Sequence, residues 1–525
     1  MKKVLSTVLL LFTALSINLN SQALSGDKII KAVGGDFPNL EAAIASLNNL
    51  GASGTVRFLI DEDLTETAAN LVINRPDLSA SNNLIIKPNT GKTPKISLLG
   101  FAASSITGTQ QDTARRQAGI TILNTGYVTI DGSNGAGTTR DLTISSLDPT
   151  NGINLINLFG NSDNITIKNT IIKWDSINAG HASTRGIYAN GQWSGVVDNI
   201  LVENCQIGDG ALDPYYAVGF TGHSGTSQYA TQISVKKSTL YGRMRPVYFY
   251  IVGTPSTVTE VSDCEIHNVN APATGNVVWG TLLNNYDGTI NFFRNKLNSL
   301  RSVSAATNGV YGFGTLSGKT TSLIQLFNNF FGGDIQHTGT GIPASIDVIS
   351  FQDNVIAKVY NNTIVLNEFP NKANTRMTCI RLGGSGNLEL KNNIIYTLKN
   401  NPNVYGIRYD GGTLVSNNNV FYNVGDSANV GYLTTAQQTL AAWQTASTQD
   451  AASNYKNVTF TGVFDLHLAG DSQTDIDLYC PPLPEITVDI DGDPRHPTNP
   501  FKGADEGLHP VAPLSGTYYV GAAGT

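Results

Sequence analysis

An all-β solenoid, a single-chain right-handed parallel β-helix, is the fold class this sequence predicts, and three observations predict it. One short motif recurs nine times: "ITIKNTII", "ILVENCQI", "ISVKKSTL", "TEVSDCEI", "INFFRNKL", "IQLFNNFF", "AKVYNNTI", "LELKNNII" and "TLVSNNNV". Its copies stand about 25 to 35 residues apart, the range of stacked repeats. A second apolar motif, seen in "GIYAN", "AVGFT", "PVYFY" and "GVYGF", falls between them. Alternating apolar residues mark strands, and the polar pair inside the first motif marks a tight bend. A propeller would need four antiparallel strands in each repeat of about 40 residues, and leucine-rich repeats need a leucine spacing that is missing here.

Residues 1–23 read as a signal peptide. Lys2 and Lys3 precede an apolar run, and Ser21-Gln22-Ala23 puts small residues where a signal peptidase requires them. The run is too short for a membrane span and has a polar flank, so the expected protein is exported, secreted or held at the cell surface, with no transmembrane segment. Of the 525 residues only 14% are charged, 53 are glycine, and the net charge is −7. No basic stripe exists to neutralise phosphates, which argues against a nucleic-acid partner.

Residues 24–110 are expected to hold an N-terminal cap and the first coils. In "NLEAAIASLNNLG" the positions of Ala43, Ile44, Leu47 and Leu50 give one apolar face of a helix, suited to covering an open coil.

Residues 111–430 are the expected core. Within each bend the first polar position holds Asn169, Asn204, Lys237, Asp263, Arg294, Asn328, Asn361, Asn392 and Asn417. It tolerates charge and is expected to face water. The second holds Thr170, Cys205, Ser238, Cys264, Asn295, Asn329, Asn362, Asn393 and Asn418. It is never charged, and an inward ladder of stacked asparagines would satisfy buried amides and bend backbone. Cys205 and Cys264 share this position two coils apart, roughly 9–10 Å at the strand spacing. A disulfide does not reach that far, so free buried thiols are expected. In the second motif the inward residues are expected to be Ile187, Val218, Val247, Val278, Val310, Val348, Ile380 and Ile407. Strict alternation then turns outward Tyr188, Tyr248, Tyr250, Trp279, Tyr311, Phe313 and Phe351, with Arg381, Arg408 and Asp410 further along. Such a stripe suits sugar faces and hydroxyl or carboxylate groups, and equally suits cross-strand stacking within a sheet.

Residues 431–512 read as a closing segment. Its "DIDGDPRHPTNPFKGADEG" places Asp489, Asp491 and Asp493 at alternating positions, the weak candidate for calcium, without the glycine and glutamate of an EF-hand loop. A structural alternative pairs Arg495 with Asp505 or Glu506. Residues 513–525 repeat the Leu-Ser-Gly start seen at Leu24 and are expected to begin a further module.

Over roughly residues 120 to 425 the recurring strand and Asn-rich bend, as in "LFNNFF", "VYNNTI" and "LKNNII", resemble secreted right-handed β-helix proteins of the pectate-lyase-like superfold. The segment around "NLEAAIASLNNLG" is similar to that superfold's N-terminal cap. "LAAWQTAS" followed by the Asp-rich string is similar to the closing segment of many exported β-helix proteins. The resemblance implies the fold and leaves the chemistry open, because this fold hosts lyases, hydrolases, esterases, adhesins and tailspikes.

The superfold's lyase and polygalacturonase strings are absent; "GRMRPVYFY" and "TGHSG" are the nearest approaches. His181, Arg185, His223, Arg243 and Arg245 are the remaining catalytic candidates, able in principle to neutralise and deprotonate a uronic acid. The expected function is a non-catalytic carbohydrate-binding or adhesive role toward a polysaccharide or cell-surface glycan. A polysaccharide lyase or glycoside hydrolase acting on an acidic polysaccharide is the alternative, and a structural stalk the third. No cofactor is expected, calcium being the one that the spacing admits.

Overall fold

The computed structural model describes residues 22–101, 118–148, 154–176, 184–190, 195–222, 229–268, 277–303, 309–340, 342–367 and 375–509. Residues 1–21, His181, His223 and the 513–525 string lie outside them. The chain winds through three sheets of 13, 14 and 13 strands. Each full coil visits them in the same order, as in Ser162–Lys168, Thr170–Trp174 and Arg185–Asn190, before Val197–Glu203 begins the next. Strands of successive coils pair in parallel (Ile165 opposite Ile200, Ile172 opposite Ile207, Ile187 opposite Val218). Parallel crossovers are right-handed in nearly all proteins, and the fold is a right-handed parallel β-helix.

The bend between first and second sheets explains the polar pair. Its first residue is left-handed in every coil, with φ between 49° and 58° from Asn169 to Asn418, a region that asparagine tolerates best among residues with a side chain. Its second residue turns into the core. The Oδ1 of Asn329 accepts the backbone N–H of Asn295 at 2.9 Å, and Asn362, Asn393 and Asn419 repeat the contact at 2.9, 3.0 and 2.9 Å. Each amide nitrogen donates onward to its neighbour's Oδ1 and to a strand carbonyl, as Asn329 does to Asn362 and Phe292. The last rung is Asn419 rather than Asn418. Lys391 pairs with Asn417, so the bend of "SNNN" falls one residue later than the motif alignment places it.

The third sheet departs from strict alternation. Val348 and Ile349 both join the main core, as do Ala217 and Val218. The chain therefore slips by one residue in mid-strand. Val247 pairs with Thr281, not with Val278, and Phe313 pairs with Ile349. Phe313 and Phe351, expected on the outer stripe, are consequently 0% exposed inside the coil.

Both ends are closed. Asn39 caps the helix Leu40–Leu50 by accepting the N–H of Ala42, and Leu40, Ala43, Ile44 and Leu47 are buried against the first coil. At the other end Trp443, from the helix Leu440–Ser447, is fully buried and donates its Nε1–H to Asp450 at 2.8 Å. Asp450 Oδ1 also accepts the amide of Asn419 at 3.0 Å and so terminates the ladder.

Beyond Tyr455 the chain turns back along the outside of the coils it has just built. Its Leu466, Leu468, Leu478, Ile490 and Phe501 form a second core with Phe330, Val365, Ile394 and Val420 from the outer face of the second sheet. This return buries Asn328, Asn361 and Asn392, bend residues expected to face water, and gives their amides the carbonyls of Val488, Phe501 and Pro481. The earlier counterparts Lys237 and Asp263 keep the expected contact with solvent.

All four cysteines are buried free thiols. Cys205 N–H reaches Ser238 Oγ at 3.0 Å on the intervening coil, as the two-coil spacing requires. Burial pushes the thiols of Cys205 and Cys264 up to about 12, so thiolate reactivity is suppressed. Native protein is expected to resist alkylation and to take up four labels once denatured without reductant, measured by intact mass; a disulfide-linked Cys205–Cys264 peptide would contradict the register.

Candidate functional site: an aromatic and arginine face on the third sheet

The outer surface of the third sheet carries three successive environments. In the earliest, a hollow of about 260 Å³ is walled by Arg185, Tyr188, Tyr216, Tyr248 and Tyr250, with Thr221 beside them. The rings of Tyr216 and Tyr248 lie 5.0 Å apart, and Tyr248 and Tyr250 are nearly coplanar in orientation at 6° and 6.3 Å. Arg185 lies 4.2 Å over the Tyr188 ring, and Arg245 lies 5.0 Å over Tyr248. Such cation–ring contacts hold a guanidinium without neutralising it. Among the described residues neither arginine forms an ion pair, and the Nε of each has no hydrogen-bond partner. Arg185 donates to Asn154 Oδ1 at 3.2 Å. Gly219 makes the packing feasible, since a Cβ there would fall 2.8 Å from the Tyr188 ring.

Burial raises the phenols of Tyr216 and Tyr248, against the opposing pull of Arg245. They are neutral hydroxyls at physiological pH, suited to hydrogen bonding and poorly suited to removing a proton. Arg243 is buried, its guanidinium lowered by desolvation with Asp213 opposing. It does not line the hollow.

Next along the face, Trp279 and Tyr311 stack on each other at 4.1 Å and 19°. Trp279 is only 4% exposed. Its ring packs against Gly314, where a Cβ would come within 1.9 Å of it. The ring is thus covered by protein, and this pair braces the sheet. The last environment is ionic. Asp347 is fully buried beside Arg376 at 2.9 Å, and burial raises its carboxyl even so. Arg381 and Arg408 share the carboxylate of Asp410 at 3.1 and 2.8 Å, and Arg408 also covers the Tyr432 ring at 4.1 Å. These charges answer one another.

The structure therefore brings together Arg185, Tyr188, Arg245, Tyr248 and Tyr250 and separates them from Trp279, Tyr311, Arg381, Arg408 and Asp410. Tyr216 was missed because the outward positions were counted only after each inward residue. It stands two places before Val218, in register with Arg185. A wider hollow of about 440 Å³ under the N-terminal helix holds Glu41 but no ring and no cation.

The Asp-rich string does not form a calcium loop of three converging carboxylates. Asp489 Oδ1 accepts the backbone N–H groups of Asp491 and Asp493 at 3.0 and 2.9 Å, and Oδ2 accepts that of Glu506. Asp493 is exposed, and Asp491 turns away to His467. Arg495 pairs with Glu506 at 3.0 Å, the second of the two expected partners.

Fold and face together define a parallel β-helix repeat protein with an aromatic–arginine cleft on its third sheet. No protein-family model and no curated protein matches the chain. Among the described residues no helix is long and apolar enough to cross a membrane.

Proposed function

We propose that this is an exported, non-catalytic glycan-binding protein that holds an acidic polysaccharide in the cleft at Arg185, Tyr216, Arg245, Tyr248 and Tyr250. One observation carries the reading: Arg185 and four tyrosines wall a hollow, Arg245 lies over the Tyr248 ring of that wall, and neither arginine has a carboxylate paired to it among the described residues. Flat rings suit the apolar faces of sugars, and a guanidinium recognises a carboxylate or sulfate in two-point contact. Export is supported by the basic, apolar and small-residue pattern of residues 1–23. The lyase alternative needs a group that takes a proton beside a uronate carboxyl, and raised tyrosine hydroxyls do not supply one.

Affinity electrophoresis through gels containing polygalacturonate, alginate or a neutral glucan tests the reading. Retardation is expected in an acidic gel, weakening with added salt. Tyr250→Ala and Arg185→Met should each weaken it about 10- to 100-fold, as for a central anchor, with little change in unfolding temperature. Trp279→Ala should do the reverse, losing stability by about 3–5 kcal/mol while retention persists. Unsaturated products absorbing in the ultraviolet after incubation would replace binding with lyase activity.

A further inference from the structure

Where the returning segment reaches furthest back along the coils, three of its passes converge. His467, Asp491 and Asp505 each offer a ligand atom, and these atoms lie within 4.8 Å of one another. His467 Nε2 faces Asp491 Oδ2 at 2.7 Å, while its Nδ1 is hydrogen-bonded to Asp465. A neutral imidazole has one N–H and so cannot donate to carboxylates on both sides. A cation must supply the second charge, either a proton or a metal ion. An imidazole whose far nitrogen is held by a carboxylate while the near one faces further oxygen ligands is the arrangement of metal-bound histidines. Asp505 is already oriented, with Oδ2 accepting the N–H of Leu468 at 2.7 Å. The ring of His467 is steadied edge-on by Phe330 at 4.9 Å. Four carboxylates, from Asp465, Asp489, Asp491 and Asp505, crowd this region. Among the described residues Lys296, 3.9 Å from Asp491, is the only lysine or arginine in ion-pair contact with them.

We propose that His467, Asp491 and Asp505 form a divalent metal site, with zinc the best match, that ties the closing segment to itself against the β-helix. One neutral imidazole and two carboxylates suit zinc, with water in the fourth position. Calcium prefers oxygen ligands alone, six to eight of them. Asp465 is the positioning residue, fixing the tautomer through Nδ1.

The full chain is stripped with a chelator, dialysed, and titrated with zinc, manganese and calcium chlorides, reading bound metal by elemental mass spectrometry and stability by thermal unfolding. The expected result is one zinc per chain and an unfolding temperature several degrees higher with zinc. Both should be lost in His467→Gln and in the exposed-site variant Asp491→Asn, which separates ligand loss from misfolding. Failure of all three metals to bind or stabilise the wild type, equal zinc binding by both variants, or preference for calcium would each overturn the proposal. The first outcome would leave His467 as an imidazolium bridging two carboxylates.

Discussion

Arg495→Met is expected to release the closing segment from the β-helix at a cost of about 3–5 kcal/mol, the usual penalty for breaking a buried charge pair on one side. The guanidinium is almost wholly buried and donates to Glu506, to Asn328 Oδ1 at 2.8 Å, and to the carbonyls of Phe501, Gly503 and Ala504. Methionine can fill the volume but leaves Glu506 charged and those carbonyls without a donor. The measurement is hydrogen exchange with limited proteolysis. Residues 456–507 should lose protection first, while the backbone N–H groups of Asn328 and Asn361, which donate to the carbonyls of Tyr360 and Lys391 within the coil, should keep theirs. Wild-type protection in the variant would assign the docking to the apolar contacts around Phe501 and Ile490 instead.

The second large effect is expected at the asparagine ladder. Asn362 Oδ1 accepts two bonds from Asn329, and its amide donates to Leu326 O at 2.8 Å and to Asn393 Oδ1 at 3.1 Å. Asn362→Ala strands buried groups on both neighbouring coils, each worth about 1–3 kcal/mol when left unpaired. A loss of about 2–4 kcal/mol in chemical unfolding is expected. Lys237→Asn, at the exposed left-handed position of an earlier bend, should be neutral or slightly favourable. Comparable losses at both positions would mean that backbone bend geometry, and not the ladder, sets the stability.

Much of the coil was legible because its constraints are local and repeated. A left-handed residue followed by an inward amide leaves a mark at every turn, and nine imperfect copies outvote any one of them. Where a copy is ambiguous the reading slips: "SNNN" fits the bend at two registers, and only pairing with Lys391 decides between them. The outer face was less legible because alternation breaks between Val348 and Ile349, and between Ala217 and Val218. A residue counted from before that break, such as Phe313, is assigned to the wrong side. Arg381 and Arg408, counted from after it, are placed correctly. Their mutual engagement with Asp410 was not visible, because sequence reports direction and not partner. The return of the closing segment was invisible for another reason: Asn328 and Arg495 are 167 residues apart, and no local pattern encodes so distant a contact.

The two closed ends have a meaning for solubility. A stack of parallel strands has the geometry of a growing fibre, with each terminal coil offering a row of unpaired backbone groups to any incoming strand. Here the Leu40–Leu50 helix lies over the first coil. At the last, the third sheet doubles back on itself, Asn429–Leu433 pairing antiparallel with Thr435–Gln437, and Asp450 accepts from the Asn419 amide that would otherwise donate to a further asparagine. Growth is thus terminated chemically as well as sterically, and a fragment cut between the two ends would carry bare faces able to seed end-to-end polymerisation.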